Sequence, residues 1–325
     1  MLSAADSHHR LGAGATTACV LGALCPDLDI ARTFQGWDVY LLHHQSGTHS
    51  LLGVLGCGIL TGTVVRLFAR RGRWAALCAA GMVGAASHVA LDLISGADLR
   101  LFSPISTRLS TLPLFAMADP WLLGALVIGA ALCSMAPRQS SRERPRHRTF
   151  LRFGAYAAIA LIVAVKAAQF IRAADIERHA VAEPATIRGD AVFGSWSRWT
   201  FTATRPATIE RWEINAWTRS ATRSATVDRG LEAPLAVRSR DLPTVANLAA
   251  SHDDTFARVL STAAGHEVRW SALRYCRVER NASEPLCGLW FGGEYDAAGR
   301  PIAATVHVGS IVQRRGAGRT SSDNE

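Results

Sequence analysis

Apolar residues crowd the first half of the chain into five stretches, 11–24, 50–69, 74–95, 118–136 and 151–171, and then thin out. A hydrocarbon core takes about 20 residues of helix, and the last four stretches reach that length. The first, LGAGATTACVLGAL, is short and rich in small residues, which suits a half-helix or a buried one. From residue 185 to 316 the period changes. SWSRWTFTAT, TIERWEINAWT, HEVRWSALRYC, LCGLWFGGEY and AATVHVGSIV alternate apolar or aromatic with polar positions, the two-residue repeat of half-buried strands. YDAAGR reads as the turn between the last two. VANLAASHDDTFARVLSTAA reads as the one helical stretch, with Asp253 or Asp254 near a helix start. The expected fold is an α-helical integral membrane domain of about four to five helices. It spans residues 1–174, followed by a β-rich (α+β) soluble extracytoplasmic domain at 185–316 and a disordered tail at 317–325.

Charge sharpens the topology. The net charge of +9 would suit a nucleic-acid ligand, but its placement argues otherwise. Arg66, Arg70, Arg71 and Arg73 fill the link between the second and third stretches. Arg138, Arg142, Arg144, Arg146 and Arg148 fill the link between the fourth and fifth. Short basic loops between membrane helices face the cytoplasm. With both loops inside, the link 96–117 and everything after about residue 172 lie outside, which in a bacterium is the periplasm. Cysteine usage agrees: Cys276 and Cys287 flank RVERNASEPL in the soluble half, a pair suited to a disulfide in an oxidising compartment. No apolar stretch precedes a small-residue cleavage site at the start of the chain, so no cleavable signal peptide is expected.

Polar residues then fall into a pattern. HHQSGTHS, residues 43–50, sets three histidines at the mouth of an apolar stretch. Asp27 and Asp29 follow the first stretch in CPDLD. His88 and Asp92 lie near the outer end of the third in SHVALD, and their four-residue spacing puts both on one helix face. Asp119 opens the fourth, where it also suits an N-cap followed by Pro at the first helical position. Four separate stretches thus bring His and Asp to the same side of the membrane. Ionisable groups there are costly and point to a site. Imidazole and carboxylate together suit a divalent metal ion, zinc first, with manganese or iron as alternatives. One or two such ions activate water for attack on a phosphoester-type bond.

The order CPDLD, HxxxTHS before an apolar helix, SHxxLD, a Gly–Pro loop and ADP resembles a family of bacterial membrane-bound metal-dependent hydrolases, described as LexA-binding and inner-membrane-associated. That family's pattern runs roughly Thr-His, PDxD, HRGxTHS, HxxxD and DP. Asp27 and Asp29 match the second element, His44, Thr48, His49 and Ser50 the third, His88 and Asp92 the fourth, and Asp119 the last. Ser7-His8 sits where the family has Thr-His, with His9 as the competing choice. Gln45 and Ser46 replace the family's usual Arg and Gly, which touches a cation beside the substrate rather than the ligands. The resemblance covers residues 8 to about 125. It implies metal ligation by residues from the set His8, Asp27, Asp29, His44, His49, His88, Asp92 and Asp119; on chemical grounds one of the carboxylates, with Asp27 the choice, acts as general base instead of ligand.

The function expected is therefore a metal-dependent hydrolase of the inner membrane, acting on a phosphoester-type or lipid-linked substrate at the outer membrane–water interface. Its partners are the lipid bilayer and a lipid-like substrate; nucleic acid is disfavoured and no protein partner is indicated. The alternatives are an ion-handling transporter using intramembrane His and Asp, or a non-catalytic envelope scaffold with a structural metal.

Overall fold

The computed structural model describes residues 14–69, 72–135, 145–181, 184–279 and 284–316. His8, most of the basic 138–148 loop and the 317–325 tail lie outside the described residues. Among the described residues, seven elements make up the helical part. They are α1 (Ala15–Leu24), a 3-10 turn (Pro26–Phe34), α2 (Trp37–His43), α3 (Leu51–Ala69), α4 (Trp74–Ile94), α5 (Pro120–Met135) and α6 (Pro145–Ala180).

Three of the described helical segments are long and apolar enough to cross a membrane: Leu51–Phe68, Trp74–Ile94 and Phe153–Ala180. The expectation was four to five, and these three are the ones the described residues supply. The fourth apolar stretch forms α5, of which 16 residues are described. Its polar start is taken up by Asp119, which caps the helix. The first stretch forms only the 10-residue α1, stopped by Pro26 and the 3-10 turn.

Helices α1, α3 and α4 approach closely because small residues line their contacts. Gly22 of α1 faces the backbone of Gly81 in α4, and Gly84 faces the carbonyl of Cys19; a Cβ at any of these positions would collide with backbone. This packing matters to the site, since it fixes where the chain leaves α1 relative to the end of α4.

The second half holds two antiparallel sheets. The first is a meander of β1 (Thr186–Ala191), β2 (Arg198–Thr204), β3 (Thr208–Asn215) and β4 (Ser220–Asp228). Two short helices follow, α7 (Pro234–Ser239) and α8 (Pro243–Ser251). The second sheet joins β5 (Thr255–Thr262), β6 (Gly265–Ala272), β9 (Leu289–Tyr295), β10 (Pro301–Val308) and β11 (Ile311–Gly316), in the order β11-β10-β9-β6-β5. Between them β7 (Cys276–Arg277) and β8 (Leu286–Cys287) form a small ladder in which Cys276 pairs with Cys287, and the two are disulfide-bonded.

The helical reading of 245–264 needs correction. Only Pro243–Ser251 is helix, and Thr255–Thr262 is a strand paired along its length with β6. β-Branched Thr255, Val259 and Thr262 favour extended backbone. Phe256 is fully buried, in a cluster with Ile209 and Val227 of the other sheet. Asp253 and Asp254 accordingly follow a helix instead of starting one.

The two halves interlock. Phe170 and Ala173 of α6 pack on Trp199 and Ile214 of the first sheet. Trp37 and Leu41 of α2 join the core of the second. Asp98, in the loop after α4, pairs with Arg188 of β1 and, at 2.7 Å, with Arg274. Lys166, the only lysine in the chain, is completely buried, its Nζ donating to the carbonyl of Ser195 at 3.1 Å over the ring of Trp199.

Candidate metal centre

Three local structures bring the ligand-type side chains together. The 3-10 turn after α1 carries Asp27 and Asp29, with Asp29 buried and Asp27 largely exposed. The HHQSGTHS stretch links α2 to α3. His44 ends α2, Gln45 takes a left-handed φ of 64° that turns the chain, and Ser50 Oγ accepts the Gly53 amide at 3.0 Å to cap α3. The last turns of α4 carry His88 and Asp92. Because α3 starts where α4 ends, all of these sit at one end of the helical part.

His49 is the centre of the arrangement. It is fully buried, and its ring divides two groups of polar atoms. On one side its Nε2 lies 3.4 Å from Asp92 Oδ2 and 3.6 Å from Asp27 Oδ1. The Nε2 of His88 lies 3.3 Å from the same Asp92 oxygen and 3.4 Å from the same Asp27 oxygen. Neither Nε2 has a hydrogen-bond partner, though both are buried. On the other side, the Nδ1 of His49 lies 3.6 Å from Asp29 Oδ2 and 3.1 Å from the Thr48 hydroxyl. The Asp29 carboxylate meets His44 Nδ1 at 3.1 Å and accepts the Thr48 hydroxyl at 3.2 Å.

Ligand-type atoms thus form two compact groups, Asp27–His49–His88 and Asp29–His44–His49, that share His49. The first fits a divalent cation better. Two bare imidazole nitrogens face two carboxylate oxygens across one small space, and a buried polar atom without a partner is costly unless something occupies its position. In the second group Asp29 already accepts from Thr48 and meets His44. That is the role of a carboxylate that orients a ligating histidine through its other nitrogen.

Electrostatics agree. Burial pushes His49 below its ordinary value of 6.5, against the attraction of Asp29 and Asp92, so its imidazole is neutral at pH 7, the form that binds metal. Burial also opposes ionisation of Asp29, but the hydrogen bond and charge of His44, with His49 and Thr48 behind them, hold its carboxyl below 3.8.

Of the other expected residues, Asp119 joins neither group. Its Oδ1 accepts the amides of Trp121 at 3.0 Å and Leu122 at 3.4 Å, so it caps α5. His43 is exposed and also outside both groups. One residue beside the site escaped the sequence reading: Tyr40 stacks on His44 with ring centroids 4.6 Å apart. Its hydroxyl is pushed up to about 12 by burial and then by the charges of Asp29 and Asp27. The four-residue spacing of Tyr40 and His44 at the end of a helix was the available signal.

Comparison with known proteins adds one match. The family model described as YdjM inner membrane protein matches residues 1–172. No curated protein and no solved structure matches the chain.

Proposed function

The chain belongs to the YdjM inner membrane protein family, and from that premise we propose that its helical half is a metal-dependent hydrolase working at the outer surface of the inner membrane. The reading is carried by one observation: the unpartnered Nε2 atoms of His49 and His88 converge with Asp27 and Asp92 oxygens at 3.3–3.6 Å. Asp27, His49, His88 and Asp92 would hold a divalent cation, zinc first and manganese or iron next by donor type. Asp29, His44 and Thr48 orient His49 from behind.

A cation held there supplies Lewis acidity and activates water near neutral pH, the requirement for phosphoester hydrolysis. Asp27 is the most exposed of the carboxylates in the group, with 57% of its side chain accessible. An exposed carboxylate at the mouth of the group can take a proton from an attacking water, so Asp27 combines ligation with general-base duty. The buried imidazoles keep their orientation throughout, because α1, α3 and α4 are locked at glycine contacts. The membrane surface is the natural source of substrate, which makes a phosphoester in or attached to a lipid the best candidate.

The orientation rests on the basic links placed inside, as the positive-inside rule requires. It also rests on the Cys276–Cys287 disulfide, which suits an oxidising periplasm. In this orientation the chain is a multi-pass membrane protein whose metal centre and sheets both face the periplasm.

Elemental analysis of the detergent-purified protein tests the core of the proposal. Wild type should carry about one divalent ion per chain, and His49→Ala and Asp92→Ala should carry none. Hydrolysis of bis-p-nitrophenyl phosphate should follow metal content. A wild-type protein that stays metal-free after reloading refutes the reading.

A further inference from the structure

A cavity of about 580 Å³ opens between the loop after α4 and the first sheet. His44 forms part of its wall, so it begins where the metal centre ends. Its charged lining is Arg100, Arg188, Arg211 and Arg274 against Asp98 and Asp190, an excess of guanidinium over carboxylate. His252, pushed down to about 4 mainly by burial, adds no charge at neutral pH.

These guanidiniums are incompletely used. Asp98 is shared between Arg188 and Arg274. The Nε of each of these arginines has no hydrogen-bond partner, although Arg188 Nε lies 3.4 Å from Asp190 and Arg274 Nε 3.9 Å from Asp254. Arg211 is half-buried in β3, and its hydrogen bond to the Cys276 carbonyl is long, at 3.5 Å. No carboxylate lies within ion-pair distance of it among the described residues. Burial works against its charge, and Asp190, Glu213 and Asp254 offset this only from beyond contact distance; a guanidinium's planar set of donors matches phosphate oxygens. The Nδ1 of His252, on a side chain more than nine-tenths buried, is also unpartnered at the cavity wall.

Part of the lining is apolar. Leu109 and Met117 line the cavity and are 43% and 71% exposed. Ile105 and Phe102, on the same loop, are 89% and 54% exposed. Exposed apolar side chains beside a basic cavity suit contact with acyl chains.

We infer that this cleft is the headgroup pocket for the hydrolase's substrate: it binds a phosphate group of an anionic lipid-like molecule through Arg211 and Arg100, with the apolar part of the ligand lying along the 102–117 loop. The inference rests on the hydrolase reading for the word substrate, but the binding site stands without it. It narrows the substrate class to amphiphiles carrying a phosphate beyond the bond that is cut.

The test uses the full chain in phosphatidylcholine nanodiscs, titrated by calorimetry with short-chain phosphatidic acid and separately with inorganic phosphate. Phosphatidic acid should bind saturably, and more tightly than phosphate. Arg211→Gln and, independently, Arg100→Gln should each weaken it about tenfold, the effect of losing one charge-assisted contact, while Arg211→Lys recovers part of the loss. Melting temperature and metal content should stay at wild-type values in the Arg100 variant. Equal affinity for phosphate and phosphatidic acid would overturn the lipid part of the inference and leave a phosphate site. Absence of saturable binding, or binding indifferent to both arginines, would overturn it whole. His49→Ala separates the two readings: it should lose metal and keep phosphatidic acid binding. A metal-free wild type that still binds in an Arg211-dependent way would sink the hydrolase and leave the pocket.

Discussion

Removing the Asp98 carboxylate should loosen the sheets from the helical half. Asp98 sits in the loop after α4 with 11% of its side chain exposed, between Arg188 and Arg274 at 19% and 20%. Asp98→Ala leaves two partly buried guanidiniums facing each other. Breaking a buried pair by deleting one partner costs about 3–5 kcal/mol, because the remaining charge stays desolvated. In a folding unit of about 150–250 residues each kcal/mol moves the melting temperature by about 2–4 °C, so the shift should be on the order of 10 °C. Six of the nine tryptophans lie in the second half of the chain, which makes intrinsic fluorescence a reporter of its unfolding.

A double-mutant cycle isolates the interaction. Once Asp98 is gone, Arg274→Ala should cost less than it does in wild type, with a coupling of about 1–3 kcal/mol. Acid should abolish the difference. Burial opposes ionisation of Asp98, but the charges and hydrogen bonds of Arg274 and Arg188 outweigh it and hold the carboxyl below 3.8. A depressed carboxylate contributes its stability above the unfolded value and loses it as pH falls through the folded one. The gap between wild type and Asp98→Ala should therefore be full at pH 6 and close below about pH 4. A shift under about 2 °C at neutral pH, or strict additivity with Arg274→Ala, refutes the view that this clamp joins the halves.

Other expectations concern packing, covalent structure and pH. Gly22→Val should push α1 away from Gly81, carrying Asp27 and Asp29 out of place; bound metal per chain should fall although no ligand has changed, and full occupancy would contradict the packing argument. The Cys276→Ser, Cys287→Ser double variant should lose about 2–4 kcal/mol, and adding dithiothreitol to wild type should lower its melting temperature to the same point. His252 is held at about 4 in the folded protein against an ordinary 6.5. Between those values the unfolded chain binds the extra proton, so stability is full above pH 6.5 and falls toward pH 4 by up to ~3 kcal/mol. His252→Gln should flatten that window in thermal melts at stepped pH.

Local pattern made part of this molecule legible. His88 and Asp92 could be put on one face of a helix because four residues is just over one turn, and an apolar background makes such residues conspicuous. The strands with aromatic alternation were readable for the same reason: Trp199 and Phe201, or Trp270, stand at inward positions two apart. Where the pattern was plainer, local reasoning failed. TIRGDA and SATRSATVD, the strands β1 and β4, carry no aromatic alternation and owe their conformation to β2 and β3 beside them. TFARVLST mixes helix-tolerant Ala257, Arg258 and Leu260 with β-branched Thr255, Val259 and Thr262, and its pairing with β6 adds the support for a strand that the sequence pattern does not show. Asp119 shows the other limit. A capping aspartate and a ligating aspartate look alike in sequence; here Oδ1 accepts the amides of Trp121 and Leu122, while the buried Oδ2 has no hydrogen-bond partner.

Arginine carries the same lesson into function. Read along the chain, the basic residues look topological, because the two short basic links between apolar stretches that hold many of them account for the expected orientation of the helices. Folding brings a different set together: Arg188, Arg211 and Arg274 lie 90 or more residues beyond Asp98 in the chain. No spacing rule links residues that far apart. Their shared property is burial, and burial changes what an arginine is for. An exposed guanidinium in a loop needs only water, whereas one set in a cavity wall needs an anion. Asp98 meets that need in part for two of them. Arg211 has no carboxylate in ion-pair contact among the described residues, only the longer-range attraction of Asp190, Glu213 and Asp254, and it lines the same cavity as His44 and the apolar Leu109 and Met117, which is why we assign the anion to a lipid.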